Sequence, residues 1–220
     1  MKKESFIYLS VIVAVSLMSY IDAIIQLEYF SRSIFKIILF AGTIILYSFI
    51  FKETIINDIK FNISAFKKIL PFSIGVYILI ISAYFIFRNI FDFSHVKDSL
   101  LSSVGIGKDN FIAISLYVSL CNSFLEEIFF RGYCFLHLKT LTGRKIAYIF
   151  SSLLFALYHC SMMIGWFNIF LYLLLIISLF IAGFIFNYLN EKFDSLFASW
   201  FFHMFANFAI NTVGIILLFN

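Results

Sequence analysis

The sequence predicts an all-α fold, a polytopic transmembrane helical bundle with about seven spans, within a range of six to eight, and a cytoplasmic N-terminus. Hydrophobic residues make up 63% of the 220-residue chain and charged residues only 13%, about half of the share usual in soluble domains. The charges also separate apolar runs of about 20 residues, the length that crosses a ~30 Å hydrocarbon core. A single globular core of this size could not hide so much apolar surface, so lipid should cover most of it.

The spans follow from the apolar runs between charged residues. They are predicted at 5–25, 34–51, 69–88, 111–135, 146–164, 167–189 and 195–219. Pro71 should fall in the first turn of the third span, where a missing N–H costs little. The stretch from Ile146 to Asn190 contains no Asp, Glu, Lys or Arg and is too long for one span. The GWFN segment at residues 165–168 should therefore divide it, with an interfacial tryptophan.

The chain is interpreted as a single integral membrane domain over 1–220. Its N-terminal spans occupy about 5–88, and a candidate catalytic core occupies about 111–215. Charges, glycines and His95 between Asn89 and Asn110 predict the one sizeable loop.

Lysine and arginine placement sets the expected orientation. With the N-terminus inside, ten of these residues fall in cytoplasmic segments and five in outer loops, which favours that orientation. The cytoplasmic set is Lys2, Lys3, Lys52, Lys60, Lys67, Lys68, Lys139, Arg144, Lys145 and Lys192, and the outer set is Arg32, Lys36, Arg88, Lys97 and Lys108.

Neither the net charge nor the cysteines indicate a soluble partner or a metal site. The formal net charge of +4 is scattered, so we expect no nucleic-acid partner. Cys121, Cys134 and Cys160 lie in apolar runs without metal-ligand spacing, and we interpret them as buried reduced thiols.

Several polar residues lie inside the predicted spans at helical spacing. An ionisable group at membrane depth costs roughly 2.5–3.5 kcal/mol, so each needs a partner or a wet cavity. These residues are Glu126, Glu127 and Arg131 in the fourth span, His159 in the fifth, and His203 and Asn207 in the seventh.

Helical geometry separates the two glutamates. Glu127 and Arg131 are four residues apart and can form an ion pair on one face. Glu126 lies roughly 140° around the helix from Arg131 and is left to face another helix. A free carboxylate and imidazoles from other spans can activate water, and His or Asn can stabilise an oxyanion.

A structural interpretation remains open for each group alone. A single intramembrane histidine is usually an interhelical hydrogen bond, and a Glu–Arg pair is often only a buried ion pair. Three polar sets on three spans favour a functional site. His95 and His137 are predicted at or beyond helix ends, in solvent, and Asp22 near an interface is ambiguous.

The motifs EExxxRG, FxxxH and HxxxN, in this order, resemble the CAAX-protease and bacteriocin-processing (CPBP, or Abi) family of intramembrane proteases. They read Glu126-Glu127-Ile128-Phe129-Phe130-Arg131-Gly132, Phe155-Ala156-Leu157-Tyr158-His159 and His203-Met204-Phe205-Ala206-Asn207. The resemblance covers roughly residues 115 to 210.

The resemblance implies a role for each residue. Glu126 would be the general base, helped by His159. His203 and Asn207 would bind the oxyanion, and Glu127 and Arg131 would support Glu126.

The metal requirement has two interpretations. Family members have been described both as metalloproteases and as metal-free glutamate proteases. Glu126, His159 and His203 would suit zinc by type. No HExxH pair or other metal-specific spacing is present, so we favour the metal-free interpretation, with a divalent metal such as zinc as the alternative.

The predicted depths of these residues disagree. At ~1.5 Å per residue, Glu126 and His203 would lie roughly 8 and 12 Å from the cytoplasmic side, but His159 about 21 Å. We therefore expect the span boundaries to be several residues off.

The predicted function is an intramembrane endopeptidase that hydrolyses a peptide bond of a membrane-associated or lipidated peptide or protein. Its expected partners are that hydrophobic substrate and membrane lipid. A phenylalanine-rich composition with more lysine than arginine suggests the plasma membrane of a low-GC bacterium. The alternative is a non-catalytic membrane scaffold or bacteriocin-immunity protein of the same fold; a transporter is disfavoured because no repeat is visible.

Overall fold

The protein is a bundle of seven helices in a computed structural model that describes residues 2–54, 62–93, 96, 98–99 and 106–219. All seven are long and apolar enough to cross a membrane, and no strand occurs in the described residues. The all-α fold and the seven spans are thereby confirmed. The helices are α1 Lys3–Ile25, α2 Tyr29–Phe51, α3 Ile63–Phe87, α4 Phe111–Thr142, α5 Arg144–Met162, α6 Ile169–Phe193 and α7 Leu196–Phe219.

Helix α3 begins six residues earlier than predicted. The Asn62 side chain caps it by accepting hydrogen bonds from the backbone N–H groups of Ser64 and Ala65, which satisfies two donors that a helix start leaves unpaired. Pro71 consequently lies inside the helix rather than in its first turn.

Helix α4 runs seven residues beyond its predicted end at 135, to Thr142. It stops at Gly143, whose φ of +94° favours glycine. Because the helix continues through His137, this imidazole is half-buried rather than solvated. Its ring centroid lies 5.4 Å from that of Tyr47 in α2.

The break between α5 and α6 is where the GWFN segment predicts it. Helix α5 ends at Met162, and Gly165 takes a φ of +83°. The Asn168 side chain then caps α6 by accepting from the Leu171 N–H at 3.0 Å. The long uncharged stretch is therefore two spans.

Helix α4 lies at the centre of the bundle and packs against α1, α2, α5, α6 and α7, while α3 packs against α7. Aromatic rings fill the core: Phe40 of α2 stacks on Phe129 at 4.0 Å, and Phe130 meets Phe155 of α5 edge-on. Large apolar side chains such as Phe49 and Phe170 point outward. The charged residues Glu126, Glu127 and Arg131 of α4 thus face protein, and the outer surface suits lipid.

Two other expectations change in the structure. Arg32 and Lys36 lie within α2 and not in an outer loop, because α2 begins at Tyr29 and buries the Lys36 side chain. Cys134 and Cys160 are buried as expected, but Cys121 is exposed on the bundle surface. His95, predicted to be solvated, lies outside the described residues.

Candidate active site

The segment of α4 that carries the two glutamates lies between two π-helical segments. These are Val118–Asn122 and Ile128–Leu136, with Ser123–Glu127 between them. Such wide turns inside α-helices frequently occur at functional sites. Both carboxylates are buried, with Glu126 2% exposed and Glu127 fully covered.

Glu126 faces two histidines from other helices, whereas helical spacing alone predicts only that it faces another helix. Its Oε2 lies 3.4 Å from Nε2 of His159 in α5 and 3.6 Å from Nε2 of His203 in α7. Three residues that are distant in the chain therefore converge on one carboxylate oxygen.

Each imidazole is held through its other nitrogen. Nδ1 of His159 lies 2.9 Å from the Phe155 carbonyl oxygen, and Nδ1 of His203 lies 3.0 Å from Oε1 of Glu127. Because a carbonyl or carboxylate accepts, Nδ1 is the protonated nitrogen in the neutral ring. The Nε2 lone pairs are then turned toward the space beside Glu126.

Glu127 forms the ion pair that the i, i+4 spacing predicts. Its Oε1 lies 3.1 Å from Nη1 of Arg131, and both side chains are fully buried. The guanidinium also lies over the rings of Phe155 and Phe186, 4.1 and 4.7 Å from their centroids. These cation–π contacts help Arg131 stay charged away from water.

Lys36 of α2 is a member of this site that the sequence analysis missed. Its ammonium donates to Oε1 of Glu126 and to Oδ1 of Asn122, the latter at 2.6 Å. The Asn122 amide donates to the same Glu126 oxygen at 3.0 Å. Glu126 is thus not the unpaired carboxylate that its own helix suggested. A usable signal was present, because a lysine inside a predicted span requires a partner.

Asn207 contacts the backbone of α4. Its side-chain amide donates to the Val118 carbonyl oxygen over a long 3.4 Å. The bond reaches Val118 at the start of the first π-helical segment, eight residues or about two turns before Glu126. The structure thus groups Glu126, His159 and His203, places Glu127 and Arg131 behind them, and ties Asn207 to the same helix.

A polar cavity lies beside the end of α5, next to the Glu126 site. Asp22 of α1 is buried, and its Oδ1 lies 3.5 Å from Nη1 of Arg32. Both residues line a cavity of about 200 Å³ together with Ser161 and Trp166. Asp22, whose place was ambiguous from the sequence, therefore lines a polar cavity. The cavity also includes Ser161, which follows His159 by two residues in α5.

Glu126, His159 and His203 fit a zinc ion in donor type and arrangement. Their ligand atoms lie within 4.8 Å of one another. Two ligands of a tetrahedral zinc with bonds of about 2.0–2.1 Å are roughly 3.3 Å apart, close to the two separations from Oε2. Nδ1 contacts to a carboxylate and a carbonyl are also typical around metal-binding histidines. The Lys36 ammonium on Oε1 opposes this fit, because it adds a positive charge beside the ion.

The fold and site define a multi-pass membrane protein with a buried carboxylate–dihistidine cluster. Residues 108–209 match the family described as Type II CAAX prenyl endopeptidase Rce1-like. This segment belongs to the CAAX-protease (CPBP) family, as the motifs predicted. No curated protein and no solved structure matches the chain.

Proposed function

We propose that the protein is an intramembrane endopeptidase that hydrolyses a peptide bond in a membrane-associated or lipidated peptide. The observation that carries the proposal is the convergence of two imidazole Nε2 atoms on Oε2 of Glu126 inside the bundle. Membership of a protease family supports the same reaction class. The composition favours a bacterial plasma membrane. The placement of lysine and arginine favours an N-terminus in the cytoplasm.

In the proposed reaction Glu126 activates water. Its Oε2 removes a proton while the water oxygen bonds to the scissile carbonyl carbon, and the carbonyl electrons move to oxygen. His159, whose ring is fixed by the Phe155 carbonyl, orients the water. His203 and Asn207 are the groups proposed to stabilise the oxyanion, and His203 can do so through Nε2 only when its ring carries a proton on both nitrogens.

The tetrahedral intermediate then collapses. The carbonyl double bond reforms, the C–N bond breaks, and the proton held by Glu126 passes to the leaving nitrogen. Glu127 and Arg131 hold His203 during both steps through the Glu127 contact. If the protein uses zinc, Glu126, His159 and His203 would hold it, and the ion would supply Lewis-acid chemistry.

The test compares the wild-type protein with Glu126→Gln in lipid vesicles, on a quenched fluorescent peptide that carries a lipid or a hydrophobic segment. Removing a general base typically costs 10²–10⁴-fold, so we expect cleavage to fall by at least about 100-fold. Glu28→Gln is the matched control, because Glu28 is an exposed glutamate. Cleavage by Glu126→Gln at the wild-type rate would reject the proposal and favour a binding or immunity role.

Repeating the cleavage assay with a metal chelator distinguishes the metal-free mechanism from the zinc-dependent one. Because Lys36 already supplies a positive charge at Glu126, we expect wild-type cleavage to continue after chelation. Loss of cleavage that added zinc restores would instead assign Glu126, His159 and His203 as metal ligands.

A further inference from the structure

The N-terminal helices contribute to the Glu126 site. Lys36 lies on α2, far outside the family match at residues 108–209. Its side chain nevertheless reaches Glu126 across the interface of α2 and α4. The first spans therefore do more than enclose the matched segment.

The two oxygens of Glu126 have different surroundings. Oε1 receives the Lys36 ammonium and the Asn122 amide, whereas Oε2 faces His159 and His203. Lys36 also donates to the side-chain oxygen Oδ1 of Asn122, so the three side chains form a closed ring of hydrogen bonds. A carboxylate held by two donors on one oxygen has its plane and its second oxygen fixed as well.

Lys36 is itself held from two sides. Its ammonium lies 4.8 Å from the ring centroid of Tyr158 in α5 and 5.6 Å from that of Phe40 in α2. The residue is only 4% exposed. The Tyr158 ring also lies 4.9 Å from the His159 ring, centroid to centroid, so one of the two rings that enclose Lys36 also contacts the histidine.

We propose that Lys36 is a positioning residue that binds Oε1 of Glu126 and thereby presents Oε2 to the water and to both histidines. The inference rests on the proposed function and extends it, since it makes α2 part of the active site. A buried ion pair could serve stability alone. The two roles differ in what they do to turnover by the folded protein.

The experiment uses the full-length protein in lipid vesicles and measures kcat and KM per folded molecule. Lys36→Met keeps the length and apolar stem but removes the ammonium. Hydrogen-bond partners that orient metal-binding residues typically contribute 10–100-fold, and by analogy we expect kcat to fall by about that factor and KM to change less than about threefold. Lys36→Arg keeps a cation with hydrogen-bond donors and should recover part of the loss. Lys67→Met, at an exposed lysine of α3, should behave as wild type.

An unchanged kcat for Lys36→Met would overturn the positioning role, and so would a loss that Lys36→Arg does not reduce at all. A purely structural lysine would lower the folded yield and the melting temperature but leave the kcat of the remaining folded protein intact.

A thermal double-mutant cycle tests the contact without using activity. Lys36→Met leaves Glu126 buried without its cation and should lower Tm by several degrees, roughly 5–10 °C. In the Glu126→Gln background the same substitution should cost much less, because no charge is stranded. If wild type cleaves no peptide, the proposed function fails while this cycle still reports on Lys36 and Glu126. Additive Tm changes would overturn the inferred contact.

Discussion

The imidazole of His203 lies 3.0 Å from Glu127, through its Nδ1 and the Oε1 of the carboxylate. The same carboxylate oxygen lies 3.1 Å from Arg131, and the other nitrogen of the ring faces Glu126. Glu127, the second glutamate of the motif, therefore bridges the buried Arg131 and His203 of α7. The role we propose for Glu127 is to orient His203, and it is separable from the role proposed for Glu126.

Glu127→Gln should weaken this orientation without changing the shape of the side chain. The amide is a weaker acceptor for the His203 N–H and leaves Arg131 without its counter-charge. We expect kcat to fall about 10–100-fold, by analogy with the contribution of carboxylates that orient metal-binding histidines. Steady-state cleavage beside Glu126→Gln checks this. A Glu127→Gln protein with the wild-type kcat would contradict the orienting role.

Arg131→Met should act mainly on stability. The substitution leaves Glu127 buried without a permanent counter-charge, with only the His203 contact remaining, and breaking one side of a buried ion pair costs about 3–5 kcal/mol. Thermal unfolding in detergent measures the loss, with Arg88→Met as the control at an exposed arginine. Adding Glu127→Gln to Arg131→Met should recover part of the stability. No recovery would show that packing of the guanidinium against Phe155 and Phe186 dominates.

Gly183→Ala should separate α5 from α6. A Cβ at this position would lie 2.8 Å from the Ser152 Cα, a backbone atom that cannot move alone. Overpacking of this kind typically costs 1–3 kcal/mol, so we expect a loss of about that size. Gly42→Ala is the matched control within α2, because nothing lies within 4 Å of its added Cβ. The control should be neutral or stabilising by up to about 1 kcal/mol; equal effects at both sites would refute the close approach.

The depth disagreement between Glu126 and His159 has a simple structural origin, whereas His203 reaches the same site only seven residues after α7 begins at Leu196. Helix α4 continues to Thr142 rather than ending near 135. Glu126 is then sixteen residues from that end, or about 24 Å, and His159 is fifteen residues from the start of α5 at Arg144, or about 22 Å. The two side chains meet because the helices are longer than the apolar runs that predicted them. An apolar run predicts where a span enters the lipid. The helix itself continues until a residue such as Gly143 ends it.

The sequence by itself determined the number of spans and the pairing of Glu127 with Arg131. Both are local properties, since an apolar run carries its own length and residues four apart share a helix face. Only the tertiary structure decided what faces Glu126. Lys36 is 90 residues away in the chain, and whether its ammonium reaches a given carboxylate depends on how α2 packs on α4. Helical spacing identified the carboxylate that its own helix leaves without a partner, and helix packing supplied that partner together with the two histidines.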